Sequence, residues 1–485
     1  MTIKDLKPQI VWNNFYGLTQ VPRPSKHEGK VQEYLLEWGR KHGVDVRRDD
    51  TGNIIFTKPA TPGFENRRGV ILQGHMDMVP QKTADKVHDF LTDPIQTIVD
   101  GEWLTADRTT LGADNGIGVA MGLAVLEDPT VKHGPVEVLV TYDEETGMTG
   151  ANSLKPGILK GDILINLDSE DEGELCVGCA GGLDVEASFK YRRYAVKGEY
   201  EGWKIAISGL KGGHSGMDIS LYRANANKAL ARIILPLMEK YGAKVVSFTG
   251  GSLRNAIPFE AAAEVLVPAA NAAKARKEAN AIFELIKKEF ATSDPDAAMK
   301  LTKEAKPATR YIQDSVMLRA VKAMIACPSN VIRMSQDMPG LTETSINMAI
   351  VRTDNGAVTI HSLMRSAVDS SKEWLATRVR CIFELAGAEV RFAGGYSGWT
   401  PKLDTPMNKV MMEQYKKVYG QDMKIMATHG GLECAIMGAK YPNWEMVSVG
   451  PTIRYPHSPD EKVNIPSVAR TWEYLKAVLE NVPKK

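Results

Sequence analysis

The sequence predicts an α/β protein, with a mixed sheet flanked by helices, into which an α+β domain is inserted. Short apolar runs in "GVILQGHMDMV", "VEVLVTYDEETG" and "GDILINLDSEDEGE" each break into acidic or other polar residues. Helical patterns separate these runs, which favours buried strands that carry a site at their carboxyl ends. Near residue 185 the pattern changes to the alternation that is typical of two-faced antiparallel strands.

The first elements follow from periodicity. Residues 4–18 and 29–42 are predicted to be helices, and the second carries Val31, Leu35 and Trp38 at helical spacing. Strands are predicted in "NIIFTKPA" and "GVILQGHMDMV", and residues 116–127 form a helix that is too apolar for a surface position. Together these elements predict an alternating α/β order.

The inserted domain is predicted from a second change of pattern. "DVEASFKYRRYAV" and "WKIAISGL" alternate, a helix follows over 271–291, and Gly-rich "GGYSGWTP" precedes renewed α/β character in "KIMATHGGLECAIM" and "WEMVSVGP". The predicted parts are 1–185 and 394–485 for one domain and 186–393 for the insertion. "SLRNAIPFEAAAEVLV" and "TSINMAIVRTDNGAVTIHSLM" indicate either an internal duplication of the insertion or a chance similarity.

The length and the charge of the chain limit the functions that it can have. A chain of 485 residues exceeds what one core usually organises. Its 60 Lys and Arg balance 59 Asp and Glu, which argues against nucleic acid and anionic membranes as partners and favours a small, polar or zwitterionic substrate. The N-terminus has no apolar signal segment and no run of about 18 apolar residues occurs, so we expect a cytoplasmic protein.

Five cysteines in so long a chain do not form a disulfide framework. Cys176 and Cys179 form a C-x-x-C, but a structural zinc site needs further ligands at suitable spacing, and none follows. We therefore expect buried thiols without a redox or metal role.

Five segments offer metal-ligating side chains at or near a strand end. The candidates are His75 and Asp77 in "GHMDMV", Asp114 in "LGADNGIG", Glu144 and Glu145 in "YDEETG", Asp168 in "INLDSE" and His457 in "YPHSPDE". Taken singly, each is more often a solvated or capping residue. As a set, two histidines and three carboxylates, one of them bridging, would satisfy two Zn²⁺, with Mn²⁺ or Co²⁺ as alternatives.

Neighbouring residues in two segments are expected to divide their roles. His75 and Asp77 are two residues apart in a predicted strand and would point to the same face. Adjacent Glu144 and Glu145 would point in different directions, so that one binds metal and the other faces the substrate as a base.

The segments "GHMDMV", "ADNGIG", "DEETG", "NLDSE" and "PHSPDE", in this order and with an insertion before the last, resemble the dinuclear zinc exopeptidase family of aminoacylase, carnosinase and glutamate carboxypeptidase. The resemblance covers nearly the whole chain. Within the family, "CVGCAGG", "GGHSGMDI" and "HGGLECAIMG" look most like the bacterial dipeptidases that cleave aminoacyl-histidines. The resemblance implies a zinc-exopeptidase catalytic domain and makes the insertion a lid.

The resemblance also implies the metal ligands. It assigns His75 and Asp168 to one metal, Glu145 and His457 to the other, and Asp114 to the bridge. Glu144 would be the general base that takes a proton from a water bridging two zinc ions. Asp77 would orient His75, although its position leaves direct ligation open.

Substrate-binding roles follow from the same resemblance. His214 of "GGHSGMDI" would contact the transition state from the lid, Asn255 would contact the substrate, and Arg365 of "SLMRSA" would grip its carboxylate. The family Arg usually follows the Asn-Ile-Pro motif closely, whereas here the candidate lies in the second half of the insertion. Glu433 would bind a free amine or, alternatively, form a buried salt bridge or cap.

The implied activity is metal-dependent hydrolysis of dipeptides, including Xaa-His dipeptides of the carnosine type. A tripeptidase or an N-acyl-amino-acid deacylase of the same family is the nearest alternative, and a non-catalytic peptide-binding protein is a distant one. A duplicated lid would let His214 act within its own chain, so the sequence leaves monomer and homodimer open.

Overall fold

A computed structural model describes the whole chain, Met1–Lys485. Its α-helices are α1 Gln9–Thr19, α2 Gly29–His42, α3 Ala113–Glu127, α4 Glu144–Gly147, α5 Thr149–Ser153, α6 Ala226–Tyr241, α7 Ala272–Glu289, α8 Asp314–Ala326, α9 Asp369–Leu385, α10 Pro406–Tyr419, α11 Glu433–Lys440 and α12 Ile465–Glu480. Three short 3₁₀ turns lie at Ile3–Asp5, Ile219–Leu221 and Ala269–Asn271.

The strands, in chain order, are β1 Asp45–Arg48, β2 Ile54–Lys58, β3 Val70–His75, β4 Thr97–Asp100, β5 Trp103–Ala106, β6 Val136–Thr141, β7 Ile163–Asn166, β8 Glu174–Cys179, β9 Gly181–Lys190, β10 Arg193–Ala195, β11 Tyr200–Ser208, β12 Gly213–His214, β13 Lys244–Gly250, β14 Ala256–Ile257, β15 Ala261–Pro268, β16 Ala298–Lys303, β17 Arg310–Ile312, β18 Asn330–Met334, β19 Thr342–Asp354, β20 Ala357–Ser366, β21 Glu389–Tyr396, β22 Lys424–Thr428, β23 Glu445–Ser448, β24 Ile453–Arg454 and β25 Lys462–Asn464. This is the mixture of helices and sheets that the sequence predicts.

The chain divides into two compact units, each with its own hydrophobic core. The first unit comprises residues 1–178, 399–427 and 432–485, and the second comprises 179–398 and 428–431. The domain boundaries predicted after residues 185 and 393 fall inside β9 and β21. The insertion of 186–393 with these limits stays a prediction.

The first unit is built on an eight-stranded mixed sheet in the order β1-β2-β6-β3-β7-β23-β8-β22. Its centre is parallel, because β3 pairs in parallel with β6 and β7, and β7 pairs in parallel with β23. All residues of β3, β6 and β7 are buried, which explains why these strands are mostly apolar on both faces. A smaller sheet in the order β24-β25-β5-β4 belongs to the same unit.

All the predicted helices are present, but the start of one of them differs from the prediction. α2 spans the predicted 29–42, and α3 includes the predicted 116–127. The prediction over 4–18 is wrong in its first turns, because α1 begins only at Gln9, after Pro8. Proline disfavours the helical conformation of the residue before it, so a helix cannot run smoothly through this position.

The second unit contains a nine-stranded sheet, with the path β16-β11-β15-β13-β19-β20-β9-β21 and β18 beside β19. Two successions of elements, β11-α6-β13-β15-α7-β16 and β9-α8-β19-β20-α9-β21, occupy this path in mirrored order. The repeated order supports the predicted duplication, which stays a prediction. The two sequence segments that suggested the duplication do not occupy equivalent positions. Asn255 lies between β13 and β15, whereas Asn347 lies inside β19.

The helices also bear on membrane association. None of them combines the length and the apolar character needed to cross a bilayer.

Candidate metal centre

Parallel strands bring polar side chains together at one edge of the first unit's sheet. His75 is the last residue of β3, Glu144 and Glu145 follow β6 as the first residues of α4, and Asp168 follows β7. Because β6 and β7 both pair in parallel with β3, their carboxyl ends lie side by side. The sheet therefore collects at one edge residues that are far apart in sequence.

Asp114 lies at the centre of this group, in the first turn of α3. Its Oδ1 is 3.0 Å from Nε2 of His75, and its Oδ2 is 3.0 Å from Nε2 of His457. Nε2 of His75 is also 3.5 Å from Oδ1 of Asp168, and Nε2 of His457 is 2.9 Å from Oε2 of Glu145. The structure thus brings the five predicted ligands together as two pairs that share Asp114.

These residues fit metal ions. Ligand atoms of His75, Asp114 and Glu145 all lie within 4.8 Å of one another. Oε1 of Glu145 and Oδ1 of Asp168 are buried without a hydrogen-bond partner, which is costly for carboxylate oxygens unless a cation or proton meets them. Imidazole and carboxylate groups are the donors that Zn²⁺ and related divalent ions accept.

Protonated histidines supply positive charge to the site of the metal-free chain. Burial by itself lowers the pKa of His75, but the neighbouring Asp168 and Asp114 outweigh it and raise this pKa well above its usual range. Hydrogen bonds to Asp114 and Glu145 raise the pKa of His457 to about 11. Burial raises the pKa of Asp168 to about 6. Both imidazoles must lose a proton before they can ligate a metal through Nε2.

Asp77 contacts His75, but not for the reason that the sequence suggested. The strand prediction is wrong here, because β3 ends at His75 and Asp77 lies beyond it. Oδ1 of Asp77 is nevertheless 3.4 Å from Nδ1 of His75. The two carboxylate oxygens also accept the backbone N–H groups of Glu144 at 3.0 Å and Glu145 at 3.3 Å. These contacts favour a positioning role over direct ligation, and both roles stay predictions.

The adjacent glutamates diverge as expected. Glu145 contacts His457, whereas no hydrogen bond or ion pair holds the carboxylate of Glu144. Burial raises the pKa of Glu144 well above its usual range, and the negative charge of Asp168 raises it further, against the opposing effect of His75. A carboxyl group that is unattached and next to the metal ligands is available to exchange protons.

Glu433 lies beneath the site in a buried polar chain. Its Oε2 accepts hydrogen bonds from Nε2 of Gln73 at 2.6 Å and from Oγ1 of Thr141 at 2.7 Å. Asn166 donates to Gln73 in turn, at 2.5 Å. Burial raises the pKa of Glu433 to about 8, so the group is neutral at pH 7 and has no cationic partner. Its predicted role as an amine partner stays a prediction.

Three predicted substrate contacts lie in the second unit. His214 is in β12, which pairs with β14 so that His214 lies opposite Ala256, directly after Asn255. Ser215 donates its backbone N–H to the carbonyl of Asn255 at 2.8 Å. Arg365 in β20 reaches the same place, since its Nε donates to Oγ of Ser215 at 3.4 Å. These three candidates therefore lie in one neighbourhood.

Further side chains around Arg365 escaped the sequence analysis. Nη1 of Arg365 donates to the hydroxyl of Tyr396 at 3.4 Å. His429 is buried, and its Nε2 is 2.7 Å from Oγ of Ser345. Burial and the charge of Arg365 lower the pKa of His429 to about 3, so this imidazole is neutral. The Gly-flanked segments "GGYSG" and "HGGLE" are the sequence signal for these residues, because small neighbours admit the Tyr396 ring against Gly431.

Comparison with known proteins decides the family. Residues 71–481 match Peptidase family M20/M25/M40. The chain belongs to this family. The M20 peptidase is 43% identical to the "Cytosol non-specific dipeptidase" of Escherichia coli over 483 residues, which are 100% of this chain and 99% of that protein. The predicted family and the prediction of a metallopeptidase are thereby confirmed.

Solved structures agree with this assignment. The M20 peptidase matches the aminoacylhistidine dipeptidase of Vibrio alginolyticus with a TM-score of 0.94 and 46% identity, covering 100% of this chain and 99% of that one. A tripeptidase from Staphylococcus aureus shares the fold alone, with a TM-score of 0.56 and 17% identity over 98% of this chain and 99% of that one. The predicted α/β fold class is confirmed.

The two cysteines of the C-x-x-C segment lie in the interior of the M20 peptidase. Cys176 and Cys179 are both buried, and the Sγ of Cys176 donates to the carbonyl of Gly178 at 3.3 Å. Buried thiols in apolar surroundings behave as small core residues. Their role as bystanders stays a prediction.

Proposed function

We propose that this M20 peptidase hydrolyses dipeptides, including Xaa-His dipeptides of the carnosine type, with two metal ions per chain. The observation that carries the proposal is the position of Asp114, whose two oxygens each face a different histidine. A carboxylate placed in this way is suited to bridge two cations. The dipeptidase names of the two relatives above 40% identity support the choice of substrate.

The proposed ligands are His75 and Asp168 for one ion and Glu145 and His457 for the other, with Asp114 shared. Zn²⁺ is the expected ion, and Mn²⁺ or Co²⁺ would suit the same ligands. Bound ions of this kind polarise a carbonyl oxygen and acidify water. They would also compensate the negative charge of the clustered carboxylates.

Glu144 is the proposed general base. Its carboxylate takes a proton from the attacking water and then delivers that proton to the nitrogen of the leaving amine. Two features support this role: nothing in the first unit holds the carboxylate, and the backbone N–H of Glu144 is anchored on Asp77. Asp77 thus fixes the start of α4, and the Glu144 carboxylate has no competing hydrogen bond or ion pair.

The second unit is proposed to bind the substrate backbone. Arg365 is buried, yet only the neutral oxygens of Ser215 and Tyr396 contact its guanidinium. A buried cation without an anionic partner is costly, and a substrate carboxylate would compensate it. Arg365 is therefore the proposed receptor of the C-terminal carboxylate, with His214 contacting the oxyanion and Asn255 the substrate amide.

We further propose that the protein works in the cytoplasm on small peptides, without nucleic acid or membrane partners. The near balance of charge and the name of the Escherichia coli relative support this. Both a monomer, with His214 acting within its own chain, and a homodimer agree with the duplicated order of the second unit.

The test is release of histidine from β-alanyl-histidine and a panel of Xaa-His dipeptides. Metal-stripped, zinc-restored and Glu144→Ala proteins are compared, with Glu33→Ala as a control on an exposed ion pair of the same unit. We expect the wild type and Glu33→Ala to release histidine only when zinc is bound. Glu144→Ala should release none, although its metal content equals that of the wild type. Release from N-acetylated dipeptides or tripeptides alone would instead establish the deacylase or the tripeptidase. Metal-dependent peptide binding without hydrolysis would indicate a binding protein.

A further inference from the structure

The backbone before Asp114 is held by a buried carboxylate. Oε2 of Glu461 accepts the N–H groups of Leu111 at 2.8 Å and Gly112 at 2.9 Å, and its Oε1 accepts the N–H of Asp114 at 3.2 Å. Glu461 is 1% exposed. One side chain therefore satisfies three backbone donors of the segment that carries the shared carboxylate.

A buried guanidinium holds the same segment through its carbonyl side. Arg23, which is 2% exposed, donates Nη2 to the carbonyl of Gly112 and Nη1 to the carbonyls of Met76 at 3.0 Å and Asp77 at 3.1 Å. Gly112 has φ +70, and a Cβ there would lie 2.5 Å from Nη2 of Arg23. Arg23 thus joins the Gly112 segment to the end of β3, where His75 lies.

Glu461 also belongs to the loop that carries a histidine ligand. It follows His457 by four residues, and its backbone N–H donates to the carbonyl of Ser458 at 3.1 Å. Its own carbonyl accepts from Oγ1 of Thr105 at 2.8 Å, and the next residue begins β25. The position of Glu461 is therefore fixed by a sheet as well as by its loop.

The contacts argue against a simple buried ion pair between Glu461 and Arg23. The two groups form no ion pair within 4.0 Å. Glu461 instead accepts three backbone N–H groups within residues 111–114, and Arg23 donates to three backbone carbonyls, at residues 76, 77 and 112. The two groups hold the same backbone from two sides, and neither makes a hydrogen bond to the carboxylate of Asp114, whose partners are His75 and His457. Their shared target is the segment, and through it the position of Asp114.

We propose that Glu461 is a positioning residue that sets Asp114 between His75 and His457 before any metal binds, and that ties Asp114 to the His457 loop. The proposal rests on the proposed metal ligands. It predicts that loss of Glu461 weakens metal binding even though Glu461 is not a ligand. Groups behind metal ligands commonly contribute about 10- to 100-fold to metal affinity.

Glu461→Gln tests the proposal, with Glu137→Gln as its matched control. Glu137 is likewise a buried carboxylate that accepts two backbone N–H groups, from Lys160 at 2.7 Å and Gly161 at 2.8 Å, at the opposite end of the parallel strands. Both oxygens of Glu461 accept backbone N–H groups. In Glu461→Gln, an NH₂ group replaces one of these oxygens and faces a backbone N–H, so at least one hydrogen bond is lost.

Zn²⁺ affinity, Zn²⁺ stoichiometry and the visible spectrum of the Co²⁺-loaded full chain are measured for both variants. We expect Glu461→Gln to bind zinc roughly 10- to 100-fold more weakly and to change the Co²⁺ spectrum, with Glu137→Gln unchanged in both. A folded Glu461→Gln protein with wild-type affinity and spectrum would overturn the proposal.

Hydrogen exchange keeps the proposal testable if Glu461→Gln does not fold. In the metal-free wild type, a peptic fragment spanning residues 108–116 should show protected amides at Leu111, Gly112 and Asp114. Protection that develops only after zinc is added would overturn the proposal, because the metal would then order the segment. Neither measurement uses hydrolysis, so a wild type that binds zinc but releases no histidine would contradict only the proposed activity.

Discussion

The guanidinium of Arg365 donates to the hydroxyl of Tyr396 at 3.4 Å and has no carboxylate within ion-pair distance. Burial lowers the pKa of Arg365 below its usual value. A buried arginine without a carboxylate at ion-pair distance is poised for an anionic ligand, because an incoming carboxylate compensates the charge that desolvation makes costly. Tyr396 then serves to hold the guanidinium in place.

The contact between Arg365 and Tyr396 predicts effects of different size on KM when each residue is replaced. Arg365→Met should raise KM for β-alanyl-histidine by roughly 10- to 100-fold, since a hydrogen bond to a charged group contributes about 1.5–3 kcal/mol. Tyr396→Phe should raise KM by about 2- to 10-fold, in line with a net 0.5–1.5 kcal/mol. Steady-state kinetics on the dipeptide and on its C-terminal amide measure both, with Tyr222→Phe as an exposed control. Equal losses on both substrates would refute a carboxylate contact.

Removal of the base should act on kcat. Glu144→Gln keeps the size of the side chain but cannot accept the proton, so we expect kcat to fall by about 10²- to 10⁴-fold, with the zinc content of the wild type. Single-turnover kinetics and metal analysis of the same preparation check this. A variant that loses zinc as well as turnover would place Glu144 among the ligands instead.

Metal binding should release protons. Because neighbouring carboxylates raise the pKa of His75 and bring that of His457 to about 11, both imidazoles are protonated in the metal-free chain at pH 7. Zinc must displace these protons, so its apparent affinity should rise with pH. Calorimetry in two buffers of different ionisation enthalpy counts the protons, and buffer-independent heats would contradict the prediction.

Protonation of His457 makes the stability of the metal-free chain depend on pH. The folded pKa of His457, about 11, lies above the ordinary 6.5. The folded chain therefore binds more protons than the unfolded chain between these values. The stabilisation by protonated His457 is complete below pH 6.5 and is lost as the pH rises toward 11. Denaturant titrations of the wild type and His457→Ala measure this, and their free energies of unfolding should converge at high pH.

Glu433 should behave as a neutral buried group. Its pKa rises from the ordinary 4.5 to about 8, so the folded chain holds a proton that the unfolded chain releases in this window. Stability should then fall as the pH rises from 4.5 to 8, by at most about 1.4 kcal/mol per pH unit. Glu433→Gln removes this slope. Thermal melts between pH 5 and 8 of the two proteins measure it.

The same variant also tests amine recognition. If Glu433 acts as a neutral hydrogen-bonding group, Glu433→Gln keeps most of its turnover of unblocked dipeptides. If the carboxylate binds the free amine as an ion, the variant loses turnover of unblocked dipeptides but keeps activity on N-acylated ones. N-acetyl-β-alanyl-histidine serves as the comparison substrate.

Local patterns in the sequence point to residues that the fold brings together, because a metal site needs particular side chains and strand ends can gather them. The predicted ligands His75 and Asp168 lie at or just beyond the ends of strands whose burial the sequence indicates. Asp77 shows the limit of this reasoning: its contact with His75 exists, but it arises from a chain turn beyond β3 rather than from strand alternation. The start of α1 was misplaced because the local effect of Pro8 outweighs the helical periodicity around it.

By itself, the sequence determined the α/β class, the apolar strands and the set of segments that carry the candidate ligands, since each depends on residue types at short spacing. Only the tertiary structure decided that Asp114 stands between His75 and His457, and that Glu461, 347 residues further along, holds its backbone. It alone decided that Glu433 is buried against Gln73. These outcomes depend on contacts between segments from 39 to 360 residues apart, and on the desolvation that packing imposes, neither of which a local pattern contains.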